Sequence, residues 1–161
     1  MELFRISLDT YAAALTASGA ANRWNVAGQY VLYTGSSRSL STLELVVHRG
    51  SIEPTKDYRM MVISVADEDH LVQQIHLSDL PKDWRTMAAY PVLQQTGAAW
   101  YAKEESLLLK IPSAIITQEY NYLINTTHPD FGKKSNSSVP KTTSGTDAYS
   151  KLYLPTNIWI S

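Results

Sequence analysis

The run Tyr30-Val31-Leu32-Tyr33 constrains the fold of this 161-residue chain most strongly, because four large apolar side chains follow one another without a polar break. It lies in a β-rich stretch, residues 29–34, that ends at the turn-forming sequence Gly35-Ser36-Ser37. Strands with one solvent-exposed face alternate apolar and polar residues, whereas strands with continuous apolar residues are buried on both faces. We therefore predict a strand here that is buried on both faces or nearly so.

Other β-rich stretches are spread over the first 124 residues. We predict further strands at residues 3–6, 58–65, 106–111, 114–117 and 122–124. Pro112-Ser113 separates two of these runs, a pattern typical of a bulge or a strand edge. A chain of this length closes one hydrophobic core, so we predict a single α+β domain.

Three segments have helical signals. We expect Asp9 to cap a helix that presents Tyr11, Ala12 and Leu15 on one face and stops at Gly19. In the region after residue 79, Pro91 and Gly97 interrupt the pattern, so two short helices are expected there and not one long helix.

The remaining helix is predicted to start at Ser37 or Ser39 and to run to about residue 48. Leu40, Leu43 and Val47 form its apolar stripe at spacings of three and four. Glu44 falls on that stripe, so its carboxylate is expected to face inward or to lie over an adjoining cleft.

Composition argues against several classes of protein. Fourteen basic and fifteen acidic residues leave a net charge of -1, which gives no field that would attract a nucleic acid or a membrane. The chain has no cysteine, which excludes disulfides, thiol nucleophiles and zinc-thiolate sites, and its four histidines lack ligand spacing, so no metal site is predicted. The first residues lack the pattern of a secretory signal and no run suits a membrane helix, so we expect a cytoplasmic protein.

The end of the chain differs from the rest. Residues 133–146 are mostly Ser, Thr, Lys, Asn and Gly, which is the composition of a linker, and apolar residues return only at 152–160. We therefore divide the chain into a folded domain at residues 1–132 and an atypical tail at 133–161, either partly disordered or in contact with a partner.

The trio Arg23, Tyr33 and Glu44 is the candidate functional site. Arg23 lies in the loop Asn22-Arg23-Trp24-Asn25, Tyr33 ends the buried strand, and Glu44 lies on the following helix. Consecutive elements usually pack side by side, so the three side chains can meet at one cleft. The sequence has no Gly-rich nucleotide fingerprint, zinc-protease motif or Gly-x-Ser-x-Gly motif that would point to other chemistry.

Several blocks in order resemble the RES domain family over residues 2 to 131. These blocks are Ser18-Gly19, Asn22-Arg23-Trp24-Asn25, Gly28, Val31-Leu32-Tyr33-Thr34, Leu43-Glu44, Val47-His48, Ile111-Pro112-Ser113-Ala114 and the run from Asn121 to Phe131. The resemblance implies an ADP-ribosyltransferase-like mixed β core with flanking helices. It also implies a toxin that acts on NAD⁺, with no cofactor besides this substrate, and an Xre-like helix-turn-helix antitoxin as partner, with a homodimer left open.

The same resemblance implies that Arg23, Tyr33 and Glu44 are the active-site arginine, tyrosine and glutamate, and that Ser113 is a further NAD⁺-binding residue. Their chemistry suits cleavage of the nicotinamide–ribose bond. Glu44 would stabilise positive charge on the ribose, Arg23 would bind the pyrophosphate, and Tyr33 would give a flat surface to the nicotinamide or its ribose. Ser113 would hydrogen-bond a ribose or the carboxamide.

Three alternatives stay open. The same site could transfer ADP-ribose to a protein in place of water or phosphate. The chain could also be a non-catalytic antitoxin-binding protein or a decayed toxin. A toxin that cleaves nucleic acid is disfavoured by the charge balance.

Overall fold

The computed structural model describes residues 1–49, 57–133 and 135–136. Within these residues, seven strands and two α-helices are connected by loops and short 3₁₀ turns. The strands are β1 (Glu2–Leu8), β2 (Val31–Gly35), β3 (Tyr58–Val65), β4 (Val72–Gln74), β5 (Leu108–Pro112), β6 (Tyr120–Asn125) and β7 (Ser135–Asn136). The helices are α1 (Arg38–Arg49) and α2 (Tyr90–Lys103).

All seven strands belong to one mixed sheet in the order β4-β5-β6-β2-β1-β3-β7. Only the β4–β5 pair is parallel among the pairs that the structure describes. The predicted α+β class is therefore confirmed. Leu32 of β2 is buried in the second of two hydrophobic clusters, and Val31 and Tyr33 pack against the first, which explains the continuous apolar run. The strand begins at Val31 and leaves Tyr30 48% exposed.

The sheet has a hydrophobic cluster on each face, because neighbouring strand residues such as Leu108 and Leu109 point to opposite sides. On one face, buried side chains of the sheet pack against α2 and the loops before it. This first cluster contains Trp24, Ile75, Trp84, Ala89, Leu93, Trp100, Leu109, Ile111 and Leu123. The second cluster contains Leu3, Leu32, Ile63, Val65, Leu71, Leu107, Leu108 and Ile124, with Leu15 and Phe131 against it.

Predictions for β1, β3 and β6 are confirmed, with β3 matching its predicted bounds. The start of α1 is confirmed as well, since the Ser37 hydroxyl accepts a hydrogen bond from the Leu40 N–H at 3.0 Å. The predicted stripe on α1 is partly wrong. Leu40 and Leu45 are buried, whereas Val47 is 53% exposed, so the inward face is rotated toward Ser41 and Glu44.

The helix predicted after Asp9 is wrong. Asp9 starts only a three-residue 3₁₀ turn, and its carboxylate pairs with Arg59 on β3 and does not cap a helix. Tyr11 is 66% exposed and shares no inward face with Ala12. A segment this short has little helical stability of its own, so the contact with β3 decides its conformation.

The expectation of two short helices in the region after residue 79 is also wrong, because α2 runs through both Pro91 and Gly97 without a break. Pro91 lies in the first turn of α2, where its missing N–H has no helical partner in any case. Gly97 lies in the middle of the same 14-residue helix, against the backbone of Trp24. Both residues therefore fit one continuous helix.

The strand predicted at residues 114–117 is replaced by turns between β5 and β6. The Ser113 N–H donates to the Glu119 carbonyl at 2.9 Å, which closes this connection. β5 lies between β4 and β6 and is not an edge strand, so Pro112 marks its end and not a bulge.

The predicted tail falls mostly outside the described residues. Within it, Ser135–Asn136 pairs with β3 as β7, so those two residues are not linker. The predictions for residues 137–161 lie outside the described residues. Nowhere in residues 1–49 or 57–133 does a helix have the length and apolar character needed to cross a bilayer.

Candidate functional site

A cleft of about 370 Å³ lies between the loop that carries Arg23, the N-terminal half of α1 and the central strands. Its volume falls within the range of small-molecule sites, about 300–1,000 Å³. Arg23, Tyr33 and Glu44 all line it, together with Arg5 and Asn121. The predicted convergence of the first three side chains on one cleft is thus observed.

Arg23 is held by the segment that precedes α2. Its Nη1 donates to the carbonyl oxygens of Trp84 at 3.0 Å and of Arg85 at 2.9 Å. Its guanidinium carbon lies 4.8 Å from the centre of the Tyr90 ring, which is cation–π distance. The loop itself is closed by paired backbone hydrogen bonds between Asn22 and Asn25. Both the guanidinium group and the backbone of Arg23 are therefore held in place.

Tyr33 points from β2 into the first cluster and reaches the same loop. Its hydroxyl donates to the Asn25 Oδ1 at 2.9 Å and accepts from the Trp24 N–H at 3.1 Å. Burial raises the pKa of the Tyr33 hydroxyl well above its usual range, and the Trp24 N–H opposes this only in part. The phenol is therefore neutral, and its hydrogen bonds connect β2 to the Arg23 loop.

The position of Glu44 follows from a close approach of α1 to β2. Gly35 ends β2, and a Cβ atom there would lie only 2.5 Å from the Ser41 hydroxyl. That hydroxyl lies 2.9 Å from the Phe4 carbonyl oxygen on β1, to which it donates. Glu44 is one turn later than Leu40 and Ser41 on the inward face, so its half-buried carboxylate reaches over the end of the sheet.

Two donors meet at Oε1 of Glu44. The Ser113 hydroxyl donates to it at 2.8 Å and the Asn121 side-chain amide donates to it at 2.5 Å. Ser113 follows β5 and is 0% exposed, so it lies behind Glu44 and does not line the cleft. Its predicted contact with NAD⁺ stays a prediction, and the observed contact is with Glu44.

Sequence reasoning missed two features of the site. Asn121 contacts Glu44 across 77 residues of sequence, and its only signal was its place in the last block of the resemblance. Arg5 adds a second guanidinium to the cleft lining and donates to the Thr16 carbonyl at 3.4 Å. No pattern around residue 5 distinguished it from a strand arginine.

The fold and the cleft define an α+β protein whose central sheet carries a site with a guanidinium, an aromatic ring and an oriented carboxylate. The model of the RES domain family matches residues 2–145. The chain belongs to the RES domain family, and the resemblance seen in the sequence blocks is confirmed.

Curated relatives match over most of their length. A protein named Toxin Res from Yersinia enterocolitica is 33% identical over 135 residues, covering 81% of this chain and 88% of the relative. Another protein of that name, from Photorhabdus laumondii, is 29% identical over 140 residues, with 84% and 88% covered. A protein named Prs ADP-ribosylating toxin, from Sphingobium sp., is 36% identical over 134 residues, with 79% and 83% covered.

Proposed function

We propose that this chain is the toxin of a toxin–antitoxin pair and that it cleaves the nicotinamide–ribose bond of NAD⁺, with water or inorganic phosphate as acceptor. The observation that supports this most is the convergence of Arg23, Tyr33 and Glu44 on one cleft. The relatives named Toxin Res support the toxin assignment, and the relative named ADP-ribosylating toxin supports chemistry at the ADP-ribosyl group. An ADP-ribosyltransferase-like fold is part of the same proposal.

Glu44 is the catalytic carboxylate in this proposal. When the glycosidic bond of NAD⁺ breaks, its electron pair goes to the nicotinamide nitrogen, so a neutral ring leaves without a general acid. Positive charge develops on the ribose, and a fixed carboxylate in a partly dry cleft stabilises it. Water then bonds to the anomeric carbon and loses a proton to give ADP-ribose, whereas phosphate gives the anomeric phosphate ester.

Arg23 binds the pyrophosphate. Both protons of its Nη1 are used by the Trp84 and Arg85 carbonyls, so phosphate binding falls to the edge formed by Nε and Nη2. That edge has the geometry for a bidentate phosphate contact. The carbonyl contacts hold the guanidinium in place before substrate arrives, which lowers the ordering cost of binding.

Tyr33 contributes its ring and not its proton. The hydroxyl already donates to Asn25 and accepts from the Trp24 N–H. Because burial raises the pKa of Tyr33, no phenolate forms near neutral pH to act as a base. A flat surface for nicotinamide or ribose is the role left to this side chain.

Transfer of ADP-ribose to a protein is the second candidate, favoured by the name of the Sphingobium relative. The site and the bond that breaks are the same, and only the attacking nucleophile differs. A non-catalytic antitoxin-binding or decayed protein would release no nicotinamide at all. We further propose a cytoplasmic protein whose partner is an Xre-like helix-turn-helix antitoxin.

The test is incubation of the purified full chain with NAD⁺, with and without inorganic phosphate, followed by mass spectrometry of the small molecules and of the protein. We expect free nicotinamide together with ADP-ribose or its anomeric phosphate. Glu44→Gln should lower this release by about 100-fold or more, and Glu105→Gln, at an exposed glutamate outside the cleft, should keep it. Absence of nicotinamide from the parent protein would reject the proposal, and ADP-ribose on protein would favour the second candidate.

A further inference from the structure

Asn121 contacts the candidate catalytic carboxylate from a strand in the middle of the sheet. It lies on β6, where its backbone pairs with Gly35 on β2 and with Ile111 on β5. A residue paired on both sides cannot shift along or away from its neighbours without breaking ladder hydrogen bonds. The side-chain amide of Asn121 is therefore presented to Glu44 from a rigid position.

The geometry fixes which atoms of Asn121 and Ser113 face the carboxylate. An amide oxygen turned toward Glu44 would place two acceptors in contact, so the short 2.5 Å contact is made by the NH₂ group. The Ser113 oxygen accepts from the backbone N–H groups of Ile115 at 3.1 Å and Ile116 at 3.2 Å. Its single proton is directed to Glu44, so its hydrogen-bonding capacity is used completely.

We propose that Asn121 is a positioning residue that, together with Ser113, sets the orientation of the Glu44 carboxylate for the reaction. This inference rests on the proposed NAD⁺ cleavage. It gives Ser113 a supporting role behind Glu44 in place of the direct substrate contact that the resemblance implied.

Loss of the Asn121 donor should affect catalysis and substrate binding differently. A carboxylate stabilises developing charge only if it is already oriented when the bond breaks, because a mobile group must reorganise during the reaction. Substrate affinity is set mainly by Arg23 and Tyr33 in the proposed function. Loss of the Asn121 donor should therefore lower kcat and leave KM for NAD⁺ nearly unchanged.

The kinetic test compares Asn121→Ala, Asn121→Ser and Ser113→Ala with the parent. We expect kcat for nicotinamide release to fall on the order of 10–100-fold with KM within about threefold, as for a misoriented catalytic group. Serine at position 121 is too short to reach Oε1, so it should lose as much as alanine while filling more of the space. Gln118→Ala, at an exposed turn residue before β6, is the matched control and should keep the parent kcat.

Thermal unfolding of each variant shows whether the altered side chain affects folding. If Asn121→Ser keeps the parent kcat, the inference is wrong. If kcat falls only in proportion to the fraction of unfolded protein, the residue is structural and the inference is also wrong.

A second measurement tests the contact without NAD⁺. In ¹⁵N-labelled protein, the side-chain amide signals of Asn121 should shift when Glu44→Gln is introduced and should stay in place with Glu105→Gln. Signals that ignore Glu44→Gln would overturn the contact and the inference with it. If the parent protein releases no nicotinamide but the Asn121 signals shift in Glu44→Gln, the proposed function is rejected and the contact between Asn121 and Glu44 is retained.

Discussion

Gly97, in the middle of α2, lies directly against the main-chain carbonyl group of Trp24. A Cβ atom at position 97 would overlap the Trp24 carbonyl oxygen. Trp24 follows Arg23 in sequence and is 2% exposed in the first cluster. Because residue 97 has no side chain, α2 can pack directly against the loop that carries Arg23, the candidate NAD⁺-binding residue.

Gly97→Ala should destabilise the protein although alanine is the better helix former. The helix preference favours the variant by about 0.5–1 kcal/mol, whereas overpacking of a close backbone contact costs about 1–3 kcal/mol. We expect a net loss, measured by urea unfolding, and weaker NAD⁺ binding because the Arg23 loop must move. A gain in stability would show that α2 and this loop are not closely packed at residue 97.

Ala99→Gly is the control for Gly97→Ala, since residue 99 is exposed on the same helix. It should cost about 1 kcal/mol through helix propensity alone and leave NAD⁺ binding unchanged. If Ala99→Gly also weakens NAD⁺ binding, any destabilisation of α2 affects the site. The contact between Gly97 and Trp24 would then not be required to explain the effect of Gly97→Ala.

The elements that sequence predicted best are those whose burial is set by their own pattern. The apolar residues of Tyr58–Val65 and the cap at Ser37 are local signals, and the structure follows them. The failures at Asp9 and Gly97 have a tertiary cause. Asp9 pairs with Arg59 on another strand, and Gly97 accommodates the backbone of Trp24, neither of which is encoded within a short window of sequence.

The candidate site was predictable to the extent that its parts are neighbours in the chain. Tyr33 and Glu44 lie on consecutive elements, β2 and α1, so their convergence follows from local packing. Asn121 reaches Glu44 because β6 is inserted beside β2, a non-local pairing that no single-sequence pattern indicates. The pairing of β5 with β6 brings Ser113 behind the carboxylate.

Tyr33→Phe should change how stability depends on pH. The pKa of Tyr33 is raised in the folded state, so above about pH 10 the unfolded chain loses this proton first and folding stability falls as pH rises. Phenylalanine has no such proton, so between about pH 9.5 and 11.5 the variant should lose stability less steeply than the parent. Urea unfolding at several pH values measures this, and parallel curves would contradict the neutral buried phenol.

Gly35→Ala should move α1 away from the sheet. The added methyl group would contact the Ser41 hydroxyl, which bonds the Phe4 carbonyl of β1. We expect a loss of about 1–3 kcal/mol in unfolding free energy and a larger fall in kcat than in NAD⁺ affinity, because Glu44 is displaced with its helix. Unchanged kcat in a destabilised variant would show that the approach of α1 supports folding alone.

Under the proposed function, Glu44→Gln and Arg23→Ala should lose activity in different ways, because Glu44 would stabilise the transition state whereas Arg23 would bind the ground state. Glu44→Gln keeps the size of the side chain, so NAD⁺ affinity measured by calorimetry should change by less than about tenfold while kcat falls by about 100-fold or more. Arg23→Ala would remove the proposed pyrophosphate contact and would also leave the Trp84 and Arg85 carbonyls without this donor, so NAD⁺ affinity should fall on the order of 100-fold. If Glu44→Gln turns over NAD⁺ at the parent rate, the Glu44 carboxylate has no part in the mechanism. If Arg23→Ala binds NAD⁺ as tightly as the parent, another residue binds the pyrophosphate, and Arg5 in the same cleft is the first to examine.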